Sequence, residues 1–71
     1  MSTDDKLIYM ANQIAGFFKA QGEARAVPAI GNHINQFWDP RMRAEFLTIT
    51  KADASTLNPL VVKALPLIHP A

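Results

Sequence analysis

The residues that could perform acid–base or metal chemistry in this chain are few and widely spaced. The two histidines, His33 and His69, have no carboxylate at helical spacing to complete a metal site or a catalytic pair. Asp4 and Asp5 are adjacent, and adjacent helical residues point about 100° apart, so the two carboxylates cannot share one substrate atom. The hydroxyl side chains have no neighbouring base, and the glycines form no phosphate-binding loop. The sequence therefore predicts no catalytic residue.

The stretch FWDPRMR, residues 37–43, holds stronger candidates for binding. Arg41 and Arg43 are two residues apart, so they point to nearly opposite sides of a helix and cannot clamp one anion together. An arginine gains nothing from the dipole at a helix N-terminus, so we expect a carboxylate or carbonyl elsewhere to hold at least one of them. Trp38 is either a core residue at a helix corner, the more frequent role, or a partner contact, since Trp and Arg dominate interface energetics.

Composition excludes several classes of protein. The chain has 71 residues and no cysteine, which predicts one small domain over residues 1–71 without disulfides, zinc–thiolate sites or iron–sulfur ligands. A formal net charge of +1 is too small for binding to a phosphate backbone, so no nucleic-acid partner is expected. The acidic start and the lack of a long apolar run predict a cytoplasmic protein without a membrane-spanning segment.

The balance of apolar and charged residues points to a partner. Hydrophobic residues make up 49% of the chain and charged residues 18%, against about 25% charged in an average globular protein. A body this small cannot bury so much apolar surface by itself. The composition therefore favours a subunit that completes its burial against another protein.

Helices must position these residues. Apolar side chains recur at steps of four, three and four through residues 4–21, which predicts an amphipathic helix; they are Leu7, Ala11, Ile14 and Phe18. Ser2 or Thr3 is a suitable N-cap, and Gly22 is placed to stop the helix. Because Pro28 fits a first turn, we expect the second helix to begin near Ala26 or Val27. Its predicted apolar face consists of Val27, Ile30, Ile34 and Phe37.

Two cap-plus-proline pairs define the second half of the chain. Asp39 followed by Pro40 ends the second helix and caps a third over residues 40–50, whose predicted apolar face is Met42, Phe46 and Ile49. Asn58 followed by Pro59 caps a short fourth helix. Pro66 and Pro70 are expected to end regular structure and to leave residues 67–69 extended. The predicted fold is all-α: a small bundle of three to four short helices with an extended C-terminal tail.

The first helix also offers partner-binding candidates. Tyr9 falls among polar residues opposite the apolar face, so it is either a solvent-exposed ring or a partner anchor. Met10 and Phe17 lie seven residues apart at one edge of the apolar face. With the corner residues they form the predicted partner-binding set, which consists of Tyr9, Met10, Phe17, Trp38, Arg41 and Arg43.

Three segments carry a resemblance to a known family: KLIYMANQIAGFF at residues 6–18, HINQFWDPRMR at 33–43 and LNPLVVKAL at 57–65. They resemble the small delta subunit of the cytoplasmic, NAD-dependent, molybdenum-containing formate dehydrogenases. The resemblance implies a non-catalytic accessory subunit that supports assembly or stability of a complex oxidising formate to carbon dioxide with reduction of NAD. Residues 66–71 match no pattern of that family.

The resemblance also implies partners and cofactors. The partners would be the larger formate dehydrogenase subunits in a hetero-oligomer. Those subunits would hold the bis-molybdopterin guanine dinucleotide, the iron–sulfur clusters and the FMN, and this chain would hold no cofactor. The main alternative is a self-associating helical module, unrelated to formate oxidation, that forms a homodimer. Two alternatives are weaker. One is a nucleic-acid-binding domain that uses Arg41 and Arg43. The other is an interfacial membrane helix, which would need a basic polar face that the first helix lacks.

Overall fold

The computed structural model describes residues 2–70, which form four α-helices and two single turns of 3-10 helix, with no strand in this range. The confirmed fold class is therefore all-α. The helices are α1 (Thr3–Phe18), α2 (Glu23–Phe37), α3 (Pro40–Ala52) and α4 (Pro59–Ala64), and the 3-10 turns are Lys19–Gln21 after α1 and Leu65–Leu67 after α4.

Local capping explains where three of the helices begin. Ser2, Asp39 and Asn58 each accept a hydrogen bond from a backbone N–H of the following first turn, at 3.2, 2.8 and 2.9 Å. Pro40 and Pro59 occupy the first turns of α3 and α4. A backbone N–H in a first turn has no acceptor within the helix, so the N–H that proline lacks costs no hydrogen bond there. The predicted caps at these three residues are confirmed.

The start of α2 differs from the prediction. Gly22 has φ 88° and ψ 154°, a conformation that only glycine adopts readily, and it turns the chain so sharply that α2 begins at Glu23. The predicted start at Ala26 or Val27 is wrong, and Pro28 lies within the helix. The carbonyl four residues before Pro28 belongs to exposed Ala24 in the first turn, where water can replace the lost hydrogen bond.

The core lies where α2 packs against α1 and α4, with α3 against α1. The largest side chains without solvent exposure are Phe46, Ile30, Ile34 and Val61. Phe37 was expected on the core face of α2, but its side chain is 71% exposed. The chain leaves helical geometry at Trp38, which turns that side chain into the core and onto the Phe46 ring at a centroid distance of 5.3 Å. Trp38 takes the place predicted for Phe37.

The C-terminal segment is packed on α2. Gly31 is buried because the 3-10 turn lies directly over it, and a Cβ added there would come within 2.9 Å of the Leu67 Cβ. The Asn35 amide donates to the Leu67 carbonyl at 2.9 Å and accepts from the His69 N–H at 2.8 Å. Pro66 lies inside the 3-10 turn, so regular structure extends past it to Leu67. The extended tail that follows is held in place, with Ile68 buried in the core.

A second asparagine holds the connection between α3 and α4 in the same way. The Asn12 amide on α1 donates to the Thr56 carbonyl at 3.0 Å and accepts from the Asn58 N–H at 2.7 Å. Each asparagine thus pairs with a carbonyl and with the N–H two residues later, as a neighbouring strand would. The α3–α4 connection and the C-terminal segment are thus tied to α1 and α2, respectively, by side-chain amides.

Candidate partner-binding surface

The predicted residues of α1 lie at the surface, to different degrees. Phe17 is 77% exposed and Tyr9 53% exposed, whereas Met10 is half-buried at the edge of the core. The Tyr9 hydroxyl accepts a hydrogen bond from the Gln13 amide at 2.7 Å, one turn further along the helix. In this bond the hydroxyl oxygen is an acceptor within α1, and much of the ring remains accessible to a partner.

The corner residues are divided between the interior and the surface. Trp38 is only 4% exposed and belongs to the core. Arg43 is half-buried and donates to three backbone carbonyls: Nε to His69 at 2.8 Å, and Nη1 to Asn35 at 3.1 Å and to Trp38 at 2.9 Å. The expectation that a carbonyl elsewhere holds one of the arginines is confirmed for Arg43.

Arg41 points into a different environment. It is exposed and lies beside an open groove that Asp4 and Glu45 also line. Of the two arginines, Arg41 is therefore the one whose charge is accessible to a partner, while Arg43 fixes the end of the chain against the corner.

Sequence reasoning missed the surface at which aromatic rings from α1 and α2 meet. The Phe17 and Phe18 rings are 5.1 Å apart, Phe18 and His33 6.1 Å, and His33 and Phe37 4.7 Å, as centroid distances. We call these four residues the aromatic ridge. The spacing of four between His33 and Phe37 indicates that they share a helix face, but only the packing of α2 on α1 brings them to Phe18.

A groove runs beside the ridge. It is lined by Ile14, Phe17, Phe18 and His33, has a volume of about 180 Å³, and is almost wholly apolar. The groove is large enough for one sizeable apolar side chain.

The helices that carry the ridge are uncharged over long stretches. No Asp, Glu, Lys or Arg occurs in residues 7–18 of α1 or in residues 26–38 at the α2 corner. The exposed positions of these stretches carry neutral polar side chains such as Gln13, Asn32 and Gln36. A water-facing helix surface without charge is unusual, because such surfaces normally carry Lys and Glu.

The ionisable side chains of the described residues show no arrangement suited to a metal ion. Within residues 2–70 there is no group of three or more His, Cys, Asp or Glu that could hold a metal ion. The Ser55 backbone N–H, and then the Ser55 side chain, hydrogen-bond the exposed Asp53 carboxylate and lower its pKa, which stabilises the α3–α4 connection locally. No helix in the described range is long and apolar enough to cross a bilayer.

The fold and this surface define a small all-α protein with an exposed, uncharged aromatic face. The family model described as NADH-dependant formate dehydrogenase delta subunit FdsD matches residues 6–65. The chain belongs to this family of delta subunits. No curated protein and no solved structure is significantly similar to the chain.

Proposed function

We propose that this chain is a non-catalytic accessory subunit that supports assembly or stability of a cytoplasmic formate dehydrogenase complex. That complex oxidises formate to carbon dioxide and reduces NAD. The observation that carries the proposal is the family match, which spans residues 6–65. The exposed rings of Phe17 and Phe37 support it, because they belong to one contiguous aromatic surface, and contiguous exposed apolar surfaces mark interaction sites.

The residue types of the chain support the proposal that the larger subunits hold the cofactors. The chain has no cysteine to ligate an iron–sulfur cluster, and its three glycines are too far apart to form a nucleotide-binding loop. The residues present therefore do not fit the molybdenum cofactor, the clusters or the flavin of such an enzyme. We assign those groups to the partner subunits and derive no catalytic step in this chain.

The six predicted partner-binding residues enter the proposal in two roles. Tyr9, Phe17 and Arg41 are exposed and are proposed as direct contacts, with Met10 at their edge. Trp38 and Arg43 are proposed to act from within, by keeping the α2–α3 corner rigid; they are buried and half-buried, respectively.

Deletion of this chain from the complex tests the proposal. We expect a lower yield of intact complex and less bound molybdenum and iron, with turnover per bound molybdenum unchanged. The measurements are native mass, metal content and formate-dependent NAD reduction, each normalised to the large subunits, with re-expression of the chain as control. A complex that lacks only the 7.8 kDa of this chain and keeps its yield, metal content and activity would contradict an assembly role. Lower turnover per molybdenum in an intact complex would contradict a non-catalytic one.

The second candidate is a self-associating helical module, which the same exposed phenylalanines favour. Sedimentation of the isolated chain separates the two functions, because a homodimer forms with rising concentration and needs no other subunit. A monomeric isolated chain that co-purifies with the large subunits supports the accessory function.

A further inference from the structure

We propose that the aromatic ridge and its groove are the surface on which another subunit of the complex docks. The occupant is an uncharged, apolar surface of a larger subunit, and one of its large apolar side chains enters the groove. This inference rests on the proposed function and specifies which face of the bundle performs it. It replaces the α2–α3 corner as the centre of the interface.

Exposure is the first observation that supports this docking face. Phe17 and Phe37 are the two most exposed of the large hydrophobic side chains, and they lie at the two ends of one continuous run of rings. Phe18 and His33 between them are half-buried and fix the positions of the outer rings. Ordered aromatic side chains bind with little loss of conformational entropy, which is why they serve as interface anchors.

Charge identifies the chemistry of the occupant. Residues 7–18 and 26–38 contain no Asp, Glu, Lys or Arg, so these two stretches offer no carboxylate, ammonium or guanidinium group with which a charged partner could pair. The cores of protein interfaces are depleted of charge and enriched in aromatic residues in this way. Burying a charged partner surface here would leave its charges desolvated and unpaired, which is strongly unfavourable.

The groove sets the size of the inserted group. With a volume of about 180 Å³ and walls formed by Ile14, Phe17, Phe18 and His33, it accommodates one Leu, Met or Phe side chain. An apolar side chain seated there would contact the faces of the ridge rings. The groove therefore supplies a central anchor around which the flatter neutral surface can pack.

Family membership favours another subunit over a second copy of this chain, and area sets how much of the surface that subunit must cover. A phenylalanine contributes about 150–250 Å² when buried, so Phe17 and Phe37 together supply roughly 300 Å² of accessible ring. A stable interface needs about 800 Å² from each partner. The two rings alone fall short of that area, so the interface must also cover the neutral side chains around the ridge. A delta subunit belongs to a complex with other chains, and such a chain is the partner that this surface would meet there.

Polar substitutions on the ridge test this inference in the assembled complex. The variants are Phe17→Ser, Phe37→Ser and the double substitution, and Val62→Ser on α4 is the matched control because Val62 is also exposed, at 41%. We expect the double variant to be retained at least about tenfold less well by the tagged large subunits, and Val62→Ser to be retained like the wild type. Phe37→Leu, which keeps the position apolar, should retain most of the binding.

The outcomes distinguish a failure of the proposed docking face from a failure of the proposed accessory function. Thermal unfolding followed by circular dichroism checks that each variant folds, as expected for side chains that are mostly in solvent. If the wild-type chain co-purifies and the folded double variant is retained equally well, the docking face is wrong and the accessory function stands. If the wild-type chain itself does not co-purify, the accessory function fails. A dimer of the isolated chain that Phe17→Ser dissolves would instead assign the ridge to a second copy and overturn the inference.

Discussion

At the scale of single residues, Gly16 and Gly31 occupy opposite environments although both lie inside helices. Space around Gly16 is open, with no atom within 4 Å of an added Cβ. At Gly31 an added Cβ would come within 2.9 Å of the Leu67 Cβ, an atom close to the backbone that cannot swing aside. Gly16 therefore has only the entropic cost of a glycine in a helix, whereas Gly31 allows the C-terminal turn to pack closely on α2.

We expect Gly16→Ala and Gly31→Ala to change the free energy of unfolding in opposite directions. Alanine at position 16 should stabilise the chain by about 0.5–1 kcal/mol, because it removes the entropic cost of glycine in a helix. Alanine at position 31 should destabilise it by about 1–3 kcal/mol, because the C-terminal turn must move away from α2. Urea unfolding followed by the helical circular-dichroism signal measures both changes in the free energy of unfolding. Stabilisation by both substitutions would show that the turn is not held against Gly31.

At the scale of elements, the α2–α3 corner depends on one arginine more than on the other. Arg43 is half-buried and bonds three carbonyls with the fork of its guanidinium, and Arg41 is exposed. Arg43→Lys should lower the free energy of unfolding by about 1–3 kcal/mol, since a lysine cannot reproduce that planar arrangement of donors. Arg41→Lys is the matched control and should lie within about 0.5 kcal/mol of the wild type. Equal effects of the two substitutions in chemical denaturation would refute this role of Arg43.

The ends of the helices show which parts of the fold could be predicted from the sequence. The caps at Asp39 and Asn58 were predictable because they depend on a residue and the turn that follows it. The start of α2 was not, because a glycine with positive φ allowed Pro28 to sit beyond the first turn. The exposure of Phe37 was also not predictable, since it depends on Trp38 leaving the helix and entering the core.

The candidate binding surface was likewise predictable only where it depends on a single helix. Phe17 was found from its position at the edge of the α1 face, and it is exposed. Phe18, His33 and Phe37 were missed as a surface, because helix periodicity describes one helix and the ridge forms between two. The excess of apolar over charged residues indicated that such a surface exists without locating it.

At the scale of the whole molecule, an uncharged docking face predicts association that tolerates salt. Screening weakens charge pairs as the Debye length falls to about 3 Å at 1 M salt, but it does not weaken apolar contacts. We expect retention of the chain by the large subunits to change less than about twofold between low salt and 1 M NaCl, and sulfate to strengthen it. Arg41→Gln, which removes an exposed charge, should slow association more than it lowers affinity. Release of the chain at high NaCl would mean that charge pairs hold the complex together.

The asparagine clamps determine what kind of sequence change the irregular segments can absorb. Asn12 and Asn35 bind main-chain atoms, so the side chains at exposed Thr56 and His69 are free to vary without loss of either clamp. The number of residues is not free, because a single insertion between the paired carbonyl and N–H would carry one of them out of reach. Within residues 6–65, which the family model matches, divergence among delta subunits should thus appear in the connection held by Asn12 as substitutions at constant length, and gaps in their alignment should fall elsewhere.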